Sequence, residues 1–275
     1  LLRDRDFVLQ IATEGKRADE FEAARVHKLD LYKRLPGTLK KDEDVVSRLM
    51  AGHPLLAAEL VKLAEMQDCK YVMIEAVCLR GSLLELASDR LRNDRDLVLW
   101  AVTTPLPIGE SISCALQHAS EALRDHEAVV LKAMDTDPRS FAFASHRIRT
   151  SEKMILQAVR YDADAFLAYA SEELQSSKEF VMKALDSNAR VYACLLRVDS
   201  RFVRDRDVAM RALACRHGSQ LERVPYAILS DHDVGLHVAR AYGCCLSCTA
   251  FQNAHGSDVE ILMAAVQQNG HALRY

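Results

Sequence analysis

Apolar residues recur along this chain in a fixed block. It is clearest from Ile148 to Glu173, IRTSEKMILQAVRYDADAFLAYASEE, and again from Leu174 to Arg201, LQSSKEFVMKALDSNARVYACLLRVDSR. Each block reads as a short helix, a turn and a second short helix. One copy alone cannot bury its own apolar faces, so it requires neighbours. A small apolar marker residue closes the first helix, at Ile11, Leu49, Ala76, Ala101, Ala133, Ala158, Ala184, Ala212, Val238 and Ala265. Seven of the nine gaps between successive markers lie between 25 and 28 residues. Four residues before the marker stand Phe7, Val45, Val72, Leu97, Val129, Met154, Phe180, Val208, Val234 and Ile261, and the residue after it is apolar throughout. That spacing gives one broad apolar helix face. Seven markers are Ala, and a small side chain there lets a neighbouring helix approach closely.

The pattern predicts an all-α protein without β-sheet, an α-solenoid of about ten helix-turn-helix repeats of roughly 26 residues. It runs as one continuous array over residues 1–275, with insertions near 16–38 and 103–120.

Helix starts are also written in the chain. Eight residues before the marker stand Asp68, Asn93, Asp125, Thr150, Ser176, Ser230 and Ser257, types whose side-chain oxygens accept from free backbone N–H groups. Arg3, Lys41 and Arg204 take that place elsewhere, each followed by Asp. Five residues before the marker, Asp6, Asp44, Asp96, Glu179, Asp207, Asp233 and Glu260 suit the positive end of the helix. A row of acidic ligands for a metal or a basic partner is the competing reading, but capping explains position and spacing by itself.

After the first helix come Gly15, Gly52, Gly81, Pro138, Asn188, Gly218, Gly243 and Gly270, residues that stop helices. Second helices carry apolar patches such as Leu83/Leu84/Leu86, Phe141/Phe143 and Phe166/Leu167/Tyr169, which read as core. The first insertion reads as a lengthened helix ending at Pro36-Gly37, and in the second Pro105 and Pro107 break the helix. Insertions in repeat arrays map to loops, either on a binding face or as tolerated variation.

The pattern resembles the helical repeat known as domain of unknown function 4116 (DUF4116). Asp94-Arg95-Asp96-Leu97-Val98-Leu99-Trp100-Ala101-Val102 resembles its first half, and Ala265-Val266-Gln267-Gln268-Asn269-Gly270-His271-Ala272-Leu273-Arg274-Tyr275 its second. Ala168-Tyr169-Ala170-Ser171 and Glu85-Leu86-Ala87-Ser88 are similar to its end. The resemblance spans nearly the whole chain and is weakest in the first, second and ninth repeats. It implies a fold and no activity. The family pattern continues past Tyr275, so the sequence is expected to be a segment of a longer protein, or to have its ends covered by a partner.

Composition narrows the field further. Hydrophobic residues make up 49% and charged residues 27%, which predicts a folded chain rather than a disordered one. The formal net charge of -3 gives no general attraction to nucleic acid or anionic lipid. No apolar run reaches the length of a membrane span. Of eight cysteines, Cys69, Cys78, Cys114, Cys194 and Cys215 are scattered and Cys244, Cys245 and Cys248 cluster. Most sit within apolar helical patterns, as reduced thiols in an intracellular reducing compartment would.

Candidate chemistry is sparse. Cys244, Cys245 and Cys248, with His237 upstream and His255 downstream, have types and spacings that bind zinc. A second CxxC is missing, so Cys244, Cys248 and His255 stay weak metal candidates and no cofactor is expected. Asp231-His232-Asp233 resembles an oriented base, yet it falls at a helix start where capping accounts for both acids. No glycine-rich phosphate loop and no GxSxG elbow occurs. The expectation is a non-catalytic interaction scaffold for protein partners in a larger assembly, with any catalytic domain outside this segment. The alternative is a helical-repeat RNA binder. Gln10, Arg48, Lys132, Gln157, Lys183 and Arg211, each one residue before a marker, would supply its polar row, but Glu75, Trp100, His237 and Ala264 interrupt it.

Overall fold

A computed structural model describes residues 2–13, 21–105, 114–198, 201–213, 221 and 224–275. Among the described residues the regular structure is helical throughout, with no strand. The chain divides into two compact units, Leu1–Arg149 and Thr150–Tyr275.

Ten helices carry the marker residues. In the first unit these are α1 (Arg5–Thr13), α2 (Glu43–Met50), α3 (Lys70–Leu79), α4 (Arg95–Thr103) and α5 (Glu127–Thr136). In the second they are α6 (Glu152–Tyr161), α7 (Lys178–Ser187), α8 (Arg206–Leu213), α9 (His232–Ala241) and α10 (Val259–Gln268). Inside each unit, each helix packs on the next in chain order. Short helices lie between them and pack on one another in the same order, as 81–86 does on 115–118 and 115–118 on 138–143.

The expected apolar face is the buried one. In α4 it is Leu97, Val98, Ala101 and Val102, and in α7 Phe180, Val181, Ala184 and Leu185, all buried. The register is four and three residues before the marker, the marker, and the residue after it. Second elements add the large anchors Leu84, Phe141, Phe166, Tyr192 and Phe251, all buried. Phe166 stacks on Phe180 of the following repeat with ring centroids 5.8 Å apart. The Tyr192 hydroxyl donates to the Val203 carbonyl at 3.1 Å. Burial pushes its pKa up to about 12.

Close approach at the marker is visible in two places. A Cβ on Gly81 would overlap the Ala101 carbonyl oxygen, and one on Gly243 would lie 2.5 Å from the Ala265 oxygen. In both, the first residue of a second element rests on the marker backbone of the next helix.

The helix starts differ from expectation by one residue. Seven side-chain caps lie seven residues before the marker rather than eight: Asp4, Asp42, Asp94, Ser177, Asp205, Asp231 and Asp258. Asp94, for instance, accepts from the Leu97 N–H at 3.0 Å. The residues expected to cap do something else. Asp68 and Asp125 accept from Ser88 and Ser145 hydroxyls and from the Arg90 and Arg147 guanidinium groups, and Asn93 accepts from Ser120 at 2.6 Å. They tie one repeat to the next.

The same serines split the expected second helix. Ala87, Ala119, Ala144 and Ala170 adopt extended backbone (ψ 150°, 156°, 159° and 132°), and Ser88, Ser120, Ser145 and Ser171 then open separate one-turn helices. The N–H groups of Ser88, Ser120 and Ser145 donate to the Gln67, Arg92 and Arg124 carbonyls, at 2.8, 3.0 and 2.9 Å. A backbone group engaged in that lateral bond cannot continue an ordinary helical ladder, so these repeats have three helical pieces.

Of the first insertion, the described part is the helix Phe21–Arg34, which stops before Pro36, and the short helix Gly37–Lys40. In the second, α4 stops at Thr103 ahead of Pro105. Gly15, Pro107, Cys215 and Gly218 lie outside the described residues.

Candidate functional site

Two residues before the marker lies an apolar row on the outer helix surface. It comprises Leu9, Ile74, Leu99 and Leu131 in the first unit, and Leu156, Met182, Met210, Leu236 and Met263 in the second. Eight are half-buried and Met263 is exposed. At about 100° per residue this position points away from the marker face, so the row does not belong to the core. This row, one residue before the polar row, is absent from the sequence expectations. Its signal was available as Leu or Met at a fixed offset in eight repeats, with Ile in a ninth.

The row deepens where α3, α4 and α5 form an open groove of about 830 Å³. Its apolar floor is Ile74, Leu99, Trp100, Ala128 and Leu131. Trp100 is the only tryptophan in the chain and is 53% exposed. The groove's charged side chains are Lys70, Arg95, Lys132 and Asp96, three cations against one carboxylate. Lys70 is held by Asp94 at 2.6 Å and lies 3.9 Å from Asp96, while Lys132 makes an exposed bridge to Asp135 at 3.3 Å. Arg95 is exposed and stands at the first position of α4.

Several ion pairs elsewhere join one repeat to the next. A cation six residues before one marker reaches the cap and the first-turn acid of the following helix. Arg5 meets Asp42 and Asp44, Lys178 meets Asp205 and Asp207, and Arg206 meets Asp231 and Asp233. Lys70 with Asp94 and Asp96 is a further rung, and His232, 3.3 Å from Asp258 and 3.7 Å from Glu260, another. For Asp94 and Asp205, burial pushes the carboxyl up, but the lysine ammonium and the helix N–H donors outweigh it and hold both below the usual range. Asp42 is likewise held down, first by the Arg5 bond.

The polar row of the RNA reading is partly occupied by ion pairs. Lys183 bridges to Glu152 at 3.1 Å and Glu179 at 2.8 Å, and Arg211 to Asp186 at 2.5 Å.

The metal candidates are not brought together. Cys244 accepts from the Asn269 amide at 3.0 Å, and Cys248 is buried at the start of helix Thr249–His255. The buried His255 packs on Phe251, and its Nε2 lies 2.6 Å from the Leu229 carbonyl, so that nitrogen carries the proton. Its ring fills the space a side chain on Gly235 would take. Among the described residues no group of three His, Cys, Asp or Glu side chains could hold a metal ion. Asp231 accepts from the Asp233 and Val234 N–H groups as a helix cap. Burial pushes the Cys245 thiol up to about 12 and raises those of Cys114 and Cys194. No helix among the described residues is long and apolar enough to cross a membrane.

No curated protein and no solved structure matches the chain. Residues 69–124 and 151–197, one stretch in each compact unit, match the family model described as Domain of unknown function (DUF4116).

Proposed function

We propose that the two compact units are lengths of one α-solenoid of about ten repeats, and that the chain acts as a non-catalytic scaffold for protein partners. The observation that carries this reading is the outward apolar row and its groove at Trp100. A solenoid presents an extended surface, and exposed apolar patches rimmed by polar groups are typical of protein-binding faces. The formal net charge of -3 favours the same reading over an RNA binder.

The test is affinity capture from nuclease-treated cell extract with the intact chain, set against a Leu99→Ser/Trp100→Ser/Leu131→Ser variant. A defined set of proteins retained by the first and lost by the second is expected. Retention of RNA alone, falling steeply with salt, would overturn the scaffold in favour of an RNA-binding repeat.

A further inference from the structure

We infer that the groove across α3, α4 and α5 docks an acidic amphipathic segment of a partner protein. A bulky apolar side chain of that segment would lie on Trp100, and its carboxylates would reach Arg95 and Lys132. The inference rests on the scaffold reading and names the site and the chemistry of its occupant.

Three observations point to this occupant. The groove floor is apolar and open, made of side chains from three successive helices. Its charged groups sit on exposed side chains rather than converging from within it. A small-molecule site needs a few buried polar groups to fix orientation, whereas a helix-in-groove contact needs apolar anchors and a charged rim. The sign of the rim then selects the partner. Lys70 and Asp96 are within 3.9 Å of one another and Lys70 is bonded to Asp94. That leaves Arg95, and Lys132, whose bridge to Asp135 joins side chains 61% and 48% exposed. Such an exposed bridge is weak and exchanges readily for a partner's carboxylate.

Trp100, as the sole tryptophan, makes the test direct. Two synthetic peptides of about four helical turns would carry the same Leu and Phe anchors, one flanked by Glu and the other by Lys. Each is titrated into the intact chain, following Trp100 emission and the heat of binding. The acidic peptide is expected to shift the emission and to bind at least about tenfold more tightly than the basic one. The Arg95→Glu/Lys132→Glu double variant is expected to reverse that order. Both substitutions are at exposed positions, and an unchanged far-ultraviolet dichroism spectrum confirms that the variant is folded.

Equal binding of both peptides, preference for the basic one, or indifference to the double variant would overturn the inference. So would a shift of Trp100 by single-stranded RNA and by neither peptide. Failure of the acidic peptide while captured proteins remain bound to the Trp100→Ser chain would refute this site and leave the scaffold standing. Loss of all captured protein on nuclease treatment would refute the scaffold itself.

Discussion

Replacing Gly81 or Gly243 by Ala should destabilise the protein, and doing the same at Gly270 should not. All three residues stand five positions after a marker, at the start of a second element. At Gly81 the new methyl would overlap the Ala101 carbonyl oxygen, and at Gly243 it would sit 2.5 Å from that of Ala265. Neither obstacle is a flexible side-chain tip, so relief requires one repeat to move away from the next. Overpacking of this kind costs about 1–3 kcal/mol. Alanine gives back about 0.4–1 kcal/mol by restricting the unfolded chain. The net loss is therefore between about 0 and about 2.6 kcal/mol at each site, or a Tm lower by up to about 10 °C at this chain length. Gly270 has nothing within 4 Å of its would-be Cβ, so only the gain applies and Gly270→Ala should be neutral or slightly stabilising. Thermal and urea unfolding followed by circular dichroism measures all three. If Gly81→Ala and Gly243→Ala prove as stable as Gly270→Ala, contact between repeats does not govern these positions and the packing argument is wrong.

Three further outcomes follow. Asp94→Ala should cost about 1 kcal/mol in urea unfolding through its lost cap, and Asp94→Asn should retain most of that, since the amide oxygen still accepts from Leu97. On acidification, Asp42, Asp94 and Asp205, held below the usual carboxylate value of 3.8, stabilise the fold above that value. That stabilisation should disappear as pH falls from about 4 through their lowered pKa values, while denaturant midpoints stay level with respect to these groups from about pH 5 to 7. Iodoacetamide should modify exposed Cys78 in the native protein well before buried Cys114, Cys194 and Cys245, with mass spectrometry reading the order. Equal rates would mean that the buried thiols are accessible.

Spacing carried the helices and their core faces, because a four- and five-residue recurrence leaves one solution for which side faces inward. Leu97, Ala101 and Val102 could be assigned from their neighbours alone. The caps were misplaced by one residue because Asp68, Asn93 and Asp125 are capping types next to a position held by Cys69, Asp94 and His126. Only geometry shows that the first three bond sideways to Ser88, Ser120 and Ser145. The split of the second helix has the same origin, since Ala-Ser is unremarkable until the serine N–H finds a carbonyl in the preceding repeat. The rungs had a sequence signal too, in Arg5, Lys70, Lys178, Arg206 and His232, each answered by an Asp at the following cap. That signal appears only when two repeats are compared out of phase. The groove is hidden in the sequence because Trp100 interrupts the polar row there, and only packing sets it beside Leu99 in the groove floor.

Zero-length carbodiimide cross-linking with mass spectrometry tests most directly whether each repeat packs on the next. It joins a lysine to a carboxylate only where the two are in ion-pair contact. The account predicts isopeptide links from Lys70 to Asp94, from Lys178 to Asp205 or Asp207, and from Lys183 to Glu152, pairs whose separations are 2.6, 2.8, 2.7 and 3.1 Å. Absence of these links, together with links joining repeats two or more apart, would contradict it.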